Sequence, residues 1–216
     1  MHKPAEQFLE LFLGSEIAHG TFTVSKSSSS VKQKGEASVV RQPTTLELWQ
    51  KHLDGGTGLG IIPIRTDNFC YWGAIDIDDY TTEHKSLIKK LRKHSVPVML
   101  GRTKSGGAHV WLFCKESVPA ADMRRKLTEL AAVLGYAKSE IFPKQEELLL
   151  DRGDLGNFLN MPYQANTRTV RYAFDDKGES LTAEEFLKES FKRRLSNDEF
   201  YALDMSKLFA GSKKVE

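Results

Sequence analysis

The chain between residues 69 and 134 alternates apolar and amphipathic segments in an order that few folds accommodate. Apolar runs predict strands at Phe69–Asp78, Val96–Gly101 and Ala108–Cys114. Apolar residues at helical spacing predict helices over 81–94 and 120–134. With one more short strand downstream, the order becomes strand, helix, strand, strand, helix, strand, which is the ferredoxin-like or split βαβ pattern. We therefore predict an α+β fold whose antiparallel sheet has helices on one face and an open second face.

The remaining segments divide the chain into four parts. We predict helices at 4–13 and 45–53, a strand at 58–64 that pairs with the 69–78 strand, short strands at 148–151, 157–161 and 169–174, and helices from Leu181 onward. The Ser- and Lys-rich composition of residues 24–43 is typical of a flexible loop. The expected division is an N-terminal helix and lead-in (1–23), a flexible basic segment (24–43), a folded core (44–180) and a C-terminal helical extension (181–216).

The composition limits the class of protein but does not indicate its chemistry. The 216 residues are 40% hydrophobic and carry a net charge of +2, which fits a globular protein and does not by itself indicate nucleic acid. No apolar run reaches the ~18–20 residues that span a bilayer, and the N-terminus lacks the features of a signal peptide. Two cysteines, Cys70 and Cys114, are too few for a disulfide framework or a four-ligand zinc site. We expect free core thiols, no membrane association and a cytoplasmic location.

Two acids two residues apart end the apolar run at 73–77. Asp76 and Asp78 project from the same face of a strand, because side chains alternate along it. Carboxylates forced together repel each other and resist desolvation, and a divalent cation between them removes both problems. Such an arrangement is typical of a Mg²⁺ site that also binds substrate phosphates. Alone, however, an Asp-x-Asp pair is more often a strand end where the acids meet water, so the context has to decide.

The turn between the two central strands is suited to phosphate. It reads Arg102-Thr103-Lys104-Ser105-Gly106-Gly107, and His109 opens the strand that follows. Paired glycines let a backbone approach a ligand closely, while Lys104 supplies positive charge and Ser105 a hydroxyl. An ordinary glycine hairpin would look similar, but together with Asp76 and Asp78 the turn favours a metal–triphosphate site.

A third acid also follows an apolar run. Leu148-Leu149-Leu150 leads into Asp151, with Asp154 close behind, and either acid could complete a three-carboxylate cage for two metals. We favour Asp151 and keep Asp154 as its competitor. Downstream, Arg168 and Arg171 could bind phosphates bidentately.

Taken together, these motifs resemble the catalytic core of the archaeo-eukaryotic primases, the primase-polymerase superfamily. Asp76 and Asp78 match its Asp-x-Asp motif, Ser105 to His109 its Ser-x-His-type turn, and Leu150-Asp151 its apolar residue followed by Asp. The stretches Glu140-Ile141-Phe142-Pro143-Lys144-Gln145 and Met161-Pro162-Tyr163 are similar to the subgroup in prokaryotic defence and mobile-element systems, including CRISPR-associated and helicase-linked enzymes. The resemblance covers roughly residues 45–175.

The resemblance implies a two-lobed fold and template-directed nucleotidyl transfer. An RRM-like antiparallel sheet would carry the metals beside a smaller N-terminal α/β lobe. Asp76, Asp78 and Asp151 would hold two Mg²⁺ or Mn²⁺ ions for transfer from NTPs or dNTPs to a 3′-hydroxyl, with de novo initiation left open. The nucleotide-binding candidates are Lys104, Ser105, Gly106, Gly107, His109, Lys144, Arg168 and Arg171. Expected partners are a single-stranded DNA template and primer, contacted by Lys32, Lys34 and Arg41, and a helicase or CRISPR-associated protein.

Two other functions fit part of the pattern. A metal-dependent nuclease would explain the acids but would leave the Ser105–His109 turn without a task. A catalytically inactive RRM-like nucleic-acid-binding module would expose aromatic residues and a characteristic RNP run, which the sequence lacks, and the acids would repel phosphates.

Overall fold

The fold is α+β, as the sequence predicted, and its described residues form two antiparallel four-stranded sheets. A computed structural model describes residues 4–24 and 35–210. Its strands are β1 (His19–Val24), β2 (Gly35–Val40), β3 (Gly58–Ile61), β4 (Phe69–Ile77), β5 (Met99–Arg102), β6 (Ala108–Pro119), β7 (Glu140–Phe142) and β8 (Leu159–Asn160). Its helices are α1 (Pro4–Leu11), α2 (Leu46–Leu53), α3 (His84–Lys93), α4 (Ala120–Leu134), α5 (Ala183–Lys192), α6 (Asn197–Ala202) and α7 (Met205–Ala210).

The larger lobe has the predicted βαββαβ order. Its sheet runs β5-β6-β4-β7, all antiparallel, and helices α3 and α4 cover one face. The apolar stripes of both helices, such as Leu87, Leu91 and Leu127, bury against Ile75 and Val110 of the sheet. Helix α4 has the bounds predicted for it, because its apolar residues recur at helical spacing up to a left-handed glycine cap at 135.

The fourth strand of this sheet differs from the prediction. It is β7, whereas the Leu148–Asp151 run forms a 3-10 turn over Leu150–Arg152. Only Leu148 is buried there, and Leu149 and Leu150 are 48% and 43% exposed. Three apolar residues in a row therefore do not form a core strand when two of them face solvent.

The smaller lobe contains strands that composition did not predict. Its sheet runs β2-β1-β3-β8, and β1 pairs with β2 from His19↔Val40 to Val24↔Gly35. Part of the expected loop over 24–43 is therefore strand. The predicted pairing of the 58–64 and 69–78 strands was also wrong, because β3 pairs with β1 and β8 while β4 lies in the other sheet. The chain crosses between the sheets at residues 62–68.

The second face of the larger sheet is covered rather than open. Phe12, just after α1, lies 5.2 Å from Trp72, 6.1 Å from Trp111 and 5.4 Å from Phe113, measured between ring centroids. Phe186 of α5 joins the same cluster, so the predicted C-terminal extension is helical and contributes to the core. This aromatic core covers the sheet face as far as Ala74 and Trp111, and Asp76, the next residue of β4 on that face, is partly exposed.

Candidate active site

Asp76 and Asp78 lie at the end of β4, on the face that the aromatic core does not reach. Trp72 and Ala74 of this strand belong to that core, and alternation places Asp76 and Asp78 on the same side. The Asp76 side chain is 18% exposed, whereas Asp78 follows the strand and is exposed. The structure therefore presents the two acids side by side, as the sequence predicted.

His109 is the direct neighbour of Asp76 across the sheet. The two residues are paired in the β4–β6 ladder, and His109 Nε2 lies 3.2 Å from Asp76 Oδ1. The imidazole is largely buried and meets Trp111 edge to face, with 5.3 Å between ring centroids. Packing on Trp111 thus orients the ring toward the acid.

A third acid, which the sequence did not single out as a ligand, lies on the other side of Asp76. Glu140 of β7 is paired with Asp76 in the ladder, and Phe142 of the same strand faces the aromatic core, so Glu140 shares the face of Asp76. Burial, Asp76 and Glu140 together raise the pKa of Asp78, an effect that His109 partly opposes. Carboxylates this close repel one another when ionised.

Asp151 does not join the acid pair, which corrects the prediction for the third ligand. The backbone N–H of Leu148 donates to Asn68 Oδ1 at 2.8 Å, and Asn68 precedes β4. Asn68 and Asp76 are eight residues apart, about 26 Å along a strand at roughly 3.3 Å per residue. The 3-10 turn that contains Asp151 therefore belongs to the opposite end of β4.

The competing candidate Asp154 also has a local structural role. Its Oδ1 accepts a hydrogen bond from the backbone N–H of Gly156 at 3.0 Å, in the same turn region. Neither Asp151 nor Asp154 is among the charges that shift the pKa of Asp78. The pattern of an apolar run followed by an acid favoured Asp151, whereas Glu140 follows Ser139 and lacks that pattern.

The acids suit a divalent cation chemically. Carboxylate oxygens are the hard donors that such ions prefer, and burial, with smaller contributions from the charges of Asp76 and Glu140, raises the pKa of Asp78. Within the described ranges, no three His, Cys, Asp or Glu side chains already form a closed metal cage. A cavity of about 470 Å³ adjoins the acids and is lined by Asp76, Asp78, Tyr136, Lys138, Ser139 and Glu140.

The predicted phosphate turn closes beside the acids. The N–H of Thr103 donates to the carbonyl of Gly107 at 3.0 Å, and Gly106 adopts a positive φ of 98°. Gly107 touches the acid strand, since a Cβ added there would lie 2.1 Å from the carbonyl oxygen of Ile77. Lys104 and Ser105 are exposed at the tip of the turn. Glycine at 107 is therefore required by the close approach to β4.

A second cavity, of about 200 Å³, is lined by positively charged side chains, among them Lys104 of the turn. Phe22, Gly55, Lys104, Gln164, Arg168 and Arg171 line it. Arg171 Cζ lies 4.8 Å and Lys104 Nζ 5.7 Å from the centre of the Phe22 ring. The Arg171 side chain is 9% exposed, and desolvation lowers its pKa. Among the described residues it has no ion-pair partner, so this buried cation fits an anionic ligand.

The family assignment follows from a match over most of the chain. Residues 19–192 match the model of the TOTE conflict system, Archaeo-Eukaryotic Primase domain. The chain belongs to this family. Among the described residues of this primase domain, no helix is long and apolar enough to cross a membrane.

Two solved structures resemble the primase domain at low sequence identity. The AEP domain of the cyanophage S-2L primase-polymerase is 15% identical, with a TM-score of 0.47 over 86% of this chain and 95% of that one. The catalytic domain of primase Repb′, solved in complex with initiator DNA, is 9% identical, with a TM-score of 0.39 over 88% and 93%. No curated protein matches the chain.

The remaining predicted contacts of the primase domain fall in different places. Lys144 lies on the acid side, where its Nζ is 2.7 Å from Glu140 Oε1, and not with the cations of the turn. Arg41 is exposed and lies beside Gly153, next to the Asp151 turn and away from the acids. Lys32 and Lys34 lie outside the described residues. Contact of Lys32, Lys34 and Arg41 with nucleic acid remains a prediction.

Proposed function

We propose that this primase domain is a nucleotidyltransferase that adds nucleotides from NTPs or dNTPs to a 3′-hydroxyl along a single-stranded DNA template. One arrangement carries the proposal. Glu140, Asp76 and His109 form a row across three neighbouring strands on the same face of the sheet. At one end the row has acids, which suit metal ions, and at the other end it has a histidine beside a glycine turn. These groups together suit a triphosphate bound with metal ions.

The acids would hold the cofactor and the cations would hold the leaving group. Two divalent ions such as Mg²⁺ or Mn²⁺, bound by Asp76, Asp78 and Glu140, would lower the pKa of the attacking hydroxyl and neutralise charge on the leaving pyrophosphate. His109 and Ser105 would donate hydrogen bonds to phosphate oxygens. Lys104 and Arg171, across the turn, would compensate the charge at the far end of the triphosphate.

Burial would make Arg171 a stronger phosphate ligand than an exposed arginine. Its guanidinium is held in place on Phe22 and has lost most of its water, so an incoming phosphate meets a preorganised donor. Arg168 is exposed at the same cavity and would contribute less, because solvent screens it. The acid-side cavity would receive the strand whose 3′-hydroxyl attacks, since the nucleophile enters in line and opposite the pyrophosphate.

The test is extension of a labelled primer on a single-stranded template, run with Mg²⁺ or Mn²⁺ and either NTPs or dNTPs. A parallel reaction without primer asks whether chains are started de novo. We expect longer products from the wild type and none from the double variant Asp76→Ala/Asp78→Ala. Asp79→Asn is the matched control, because the Asp79 carboxylate is exposed and accepts hydrogen bonds from Thr81.

Two outcomes would replace the proposal by one of the alternatives. Shortened products that depend on metal and on Asp76 would identify a nuclease. Binding of single-stranded DNA with neither longer nor shorter products, under all metal and nucleotide conditions, would identify a non-catalytic binding module.

A further inference from the structure

His84 reaches from a helix to the phosphate turn. It is the first residue of α3, and its Nε2 lies 3.0 Å from the carbonyl oxygen of Gly107. A carbonyl only accepts, so Nε2 carries the hydrogen and donates it. The same oxygen accepts the hydrogen bond from Thr103 that closes the turn. His84 therefore binds the atom on which the closure of the turn depends.

Gly107 connects this bond to the acids. Its Cα packs so closely on the carbonyl of Ile77 that no side chain fits between them. Ile77 stands between Asp76 and Asp78. A displacement of Gly107 would therefore change the position of the turn relative to both carboxylates.

The other side of the imidazole contacts the segment that carries Arg171. The His84 ring lies 5.0 Å from the ring of Phe174. The N–H of Phe174 donates to the carbonyl of Leu100 at 2.9 Å, and that of Arg102 donates to Tyr172, which holds this segment along β5. One side chain thus touches both the turn and the segment that follows Arg171.

We propose that His84 is a positioning residue for the nucleotide: it fixes the Ser105–His109 turn against the acid strand and against the segment of Arg171. The inference rests on the nucleotidyl-transfer function proposed above. The Nε2 of the imidazole bonds the Gly107 carbonyl and its ring packs on Phe174, so His84 acts through the turn and not on the ligand itself. Ligand groups displaced by a fraction of an ångström lose much of their binding.

Two variants separate the hydrogen bond from the packing of the ring. His84→Phe keeps an aromatic ring against Phe174 and removes the donor. His84→Gln keeps an N–H donor at a similar reach. Lys89→Ala is the control, because Lys89 is an exposed residue of the same helix.

The first measurement is hydrogen–deuterium exchange of the peptide spanning residues 102–108 in the protein without ligands. We expect faster exchange of the Thr103 and Gly106 amides in His84→Phe, and exchange close to wild type in His84→Gln and Lys89→Ala. Unchanged exchange in His84→Phe would contradict the proposed link, whatever reaction the domain catalyses.

The second measurement is binding of dATP by calorimetry, with Ca²⁺ in place of Mg²⁺ to prevent turnover. We expect the Kd to rise about tenfold in His84→Phe, to recover in His84→Gln, and the Kd of Mn²⁺ alone to change less than twofold. Equal losses in both variants, or a parallel loss of Mn²⁺ affinity, would show a merely structural role and overturn the proposal. Absence of dATP binding by the wild type would contradict the proposed function, whereas wild-type binding with an unchanged Kd in His84→Phe would contradict the role of His84 alone.

Discussion

His109 and Asp76 face each other across two antiparallel strands, with 3.2 Å between the imidazole Nε2 and the carboxylate Oδ1. The contact joins the two motifs that the sequence singled out separately. It places the phosphate turn and the acid pair one strand apart, about 5 Å. A metal ion held by the acid would therefore lie within reach of a phosphate held by the histidine.

The first prediction concerns the imidazole. His109→Ala should weaken dATP binding in the presence of Ca²⁺ by about ten- to a hundredfold, the loss expected for one hydrogen bond to a charged group of about 1.5–3 kcal/mol. Calorimetry measures the nucleotide, and fluorescence anisotropy measures single-stranded DNA, whose binding should change little. An unchanged nucleotide Kd would refute the phosphate role of His109.

The second prediction decides the third metal ligand. Glu140→Gln should weaken Mn²⁺ binding at least tenfold, because it removes an anionic oxygen beside Asp76. Asp151→Asn should leave the affinity within twofold, because Asp151 lies at the opposite end of β4. Titration of free Mn²⁺ by electron paramagnetic resonance measures both. Weaker Mn²⁺ binding in Asp151→Asn, with unchanged binding in Glu140→Gln, would identify Asp151 as the third ligand and exclude Glu140.

The difference between these two acids shows what the sequence could and could not predict. Asp76, Asp78 and the 105–109 turn are specified by local features: side-chain alternation on one strand, and paired glycines between two strands. Glu140 reaches the site only because a three-residue strand pairs with β4, and that pairing depends on tertiary structure. The apolar run before Asp151 resembles the run before Asp76, whereas Glu140 follows Ser139, so the local pattern favoured Asp151.

The strands of the smaller lobe were also only partly predicted from the sequence. Strand β1 carries Thr21, Phe22 and Thr23, residue types that favour strands, and this was the signal that could have predicted it. The Ser- and Lys-rich composition of the residues that follow favoured a flexible loop instead. The covered face of the larger sheet was not predictable either, because Phe12 and Phe186 come from opposite ends of the chain.

The third prediction tests how the lobes are joined. Phe12→Ala should lower the free energy of unfolding by about 3–5 kcal/mol, because Phe12 is 1% exposed and contacts aromatic rings of the larger sheet and of α2 and α5. Leu13→Ala is the neighbouring control, since Leu13 is 38% exposed. Urea denaturation followed by tryptophan fluorescence measures both. A loss below 1 kcal/mol in Phe12→Ala would show that this core does not hold the lobes together.

The fourth prediction is a pH dependence of stability caused by His52. The imidazole is fully buried, donates from Nε2 to the carbonyl of Pro162 at 2.8 Å and accepts at Nδ1 from the N–H of Leu59 at 3.0 Å. Burial, with a smaller contribution from Arg171, lowers the pKa of His52 from 6.5 to about 4.

Because the folded pKa lies below the unfolded one, the stabilisation is complete above pH 6.5 and is lost as the pH falls toward 4. The loss should amount to roughly 2–3 kcal/mol. His52→Gln should be less stable than wild type at pH 7, and the gap should narrow by pH 4.5. Urea titrations at both pH values measure it, and a gap that stays constant would exclude His52 as the titrating group.

The fifth prediction tests the cation cavity without catalysis or metal. Arg171 is buried and, within the described part of the chain, has no carboxylate partner, so its charge is uncompensated until an anion binds. Inorganic triphosphate at about ten times its Kd should stabilise the wild type by about 1.4 kcal/mol, which raises the melting temperature by about 3–6 °C. Arg171→Met should lose this shift while the melting temperature of the free protein stays equal or rises, because a desolvated charge has been removed. The exposed Arg168→Met should keep most of the shift, and a full shift in Arg171→Met would place the triphosphate elsewhere.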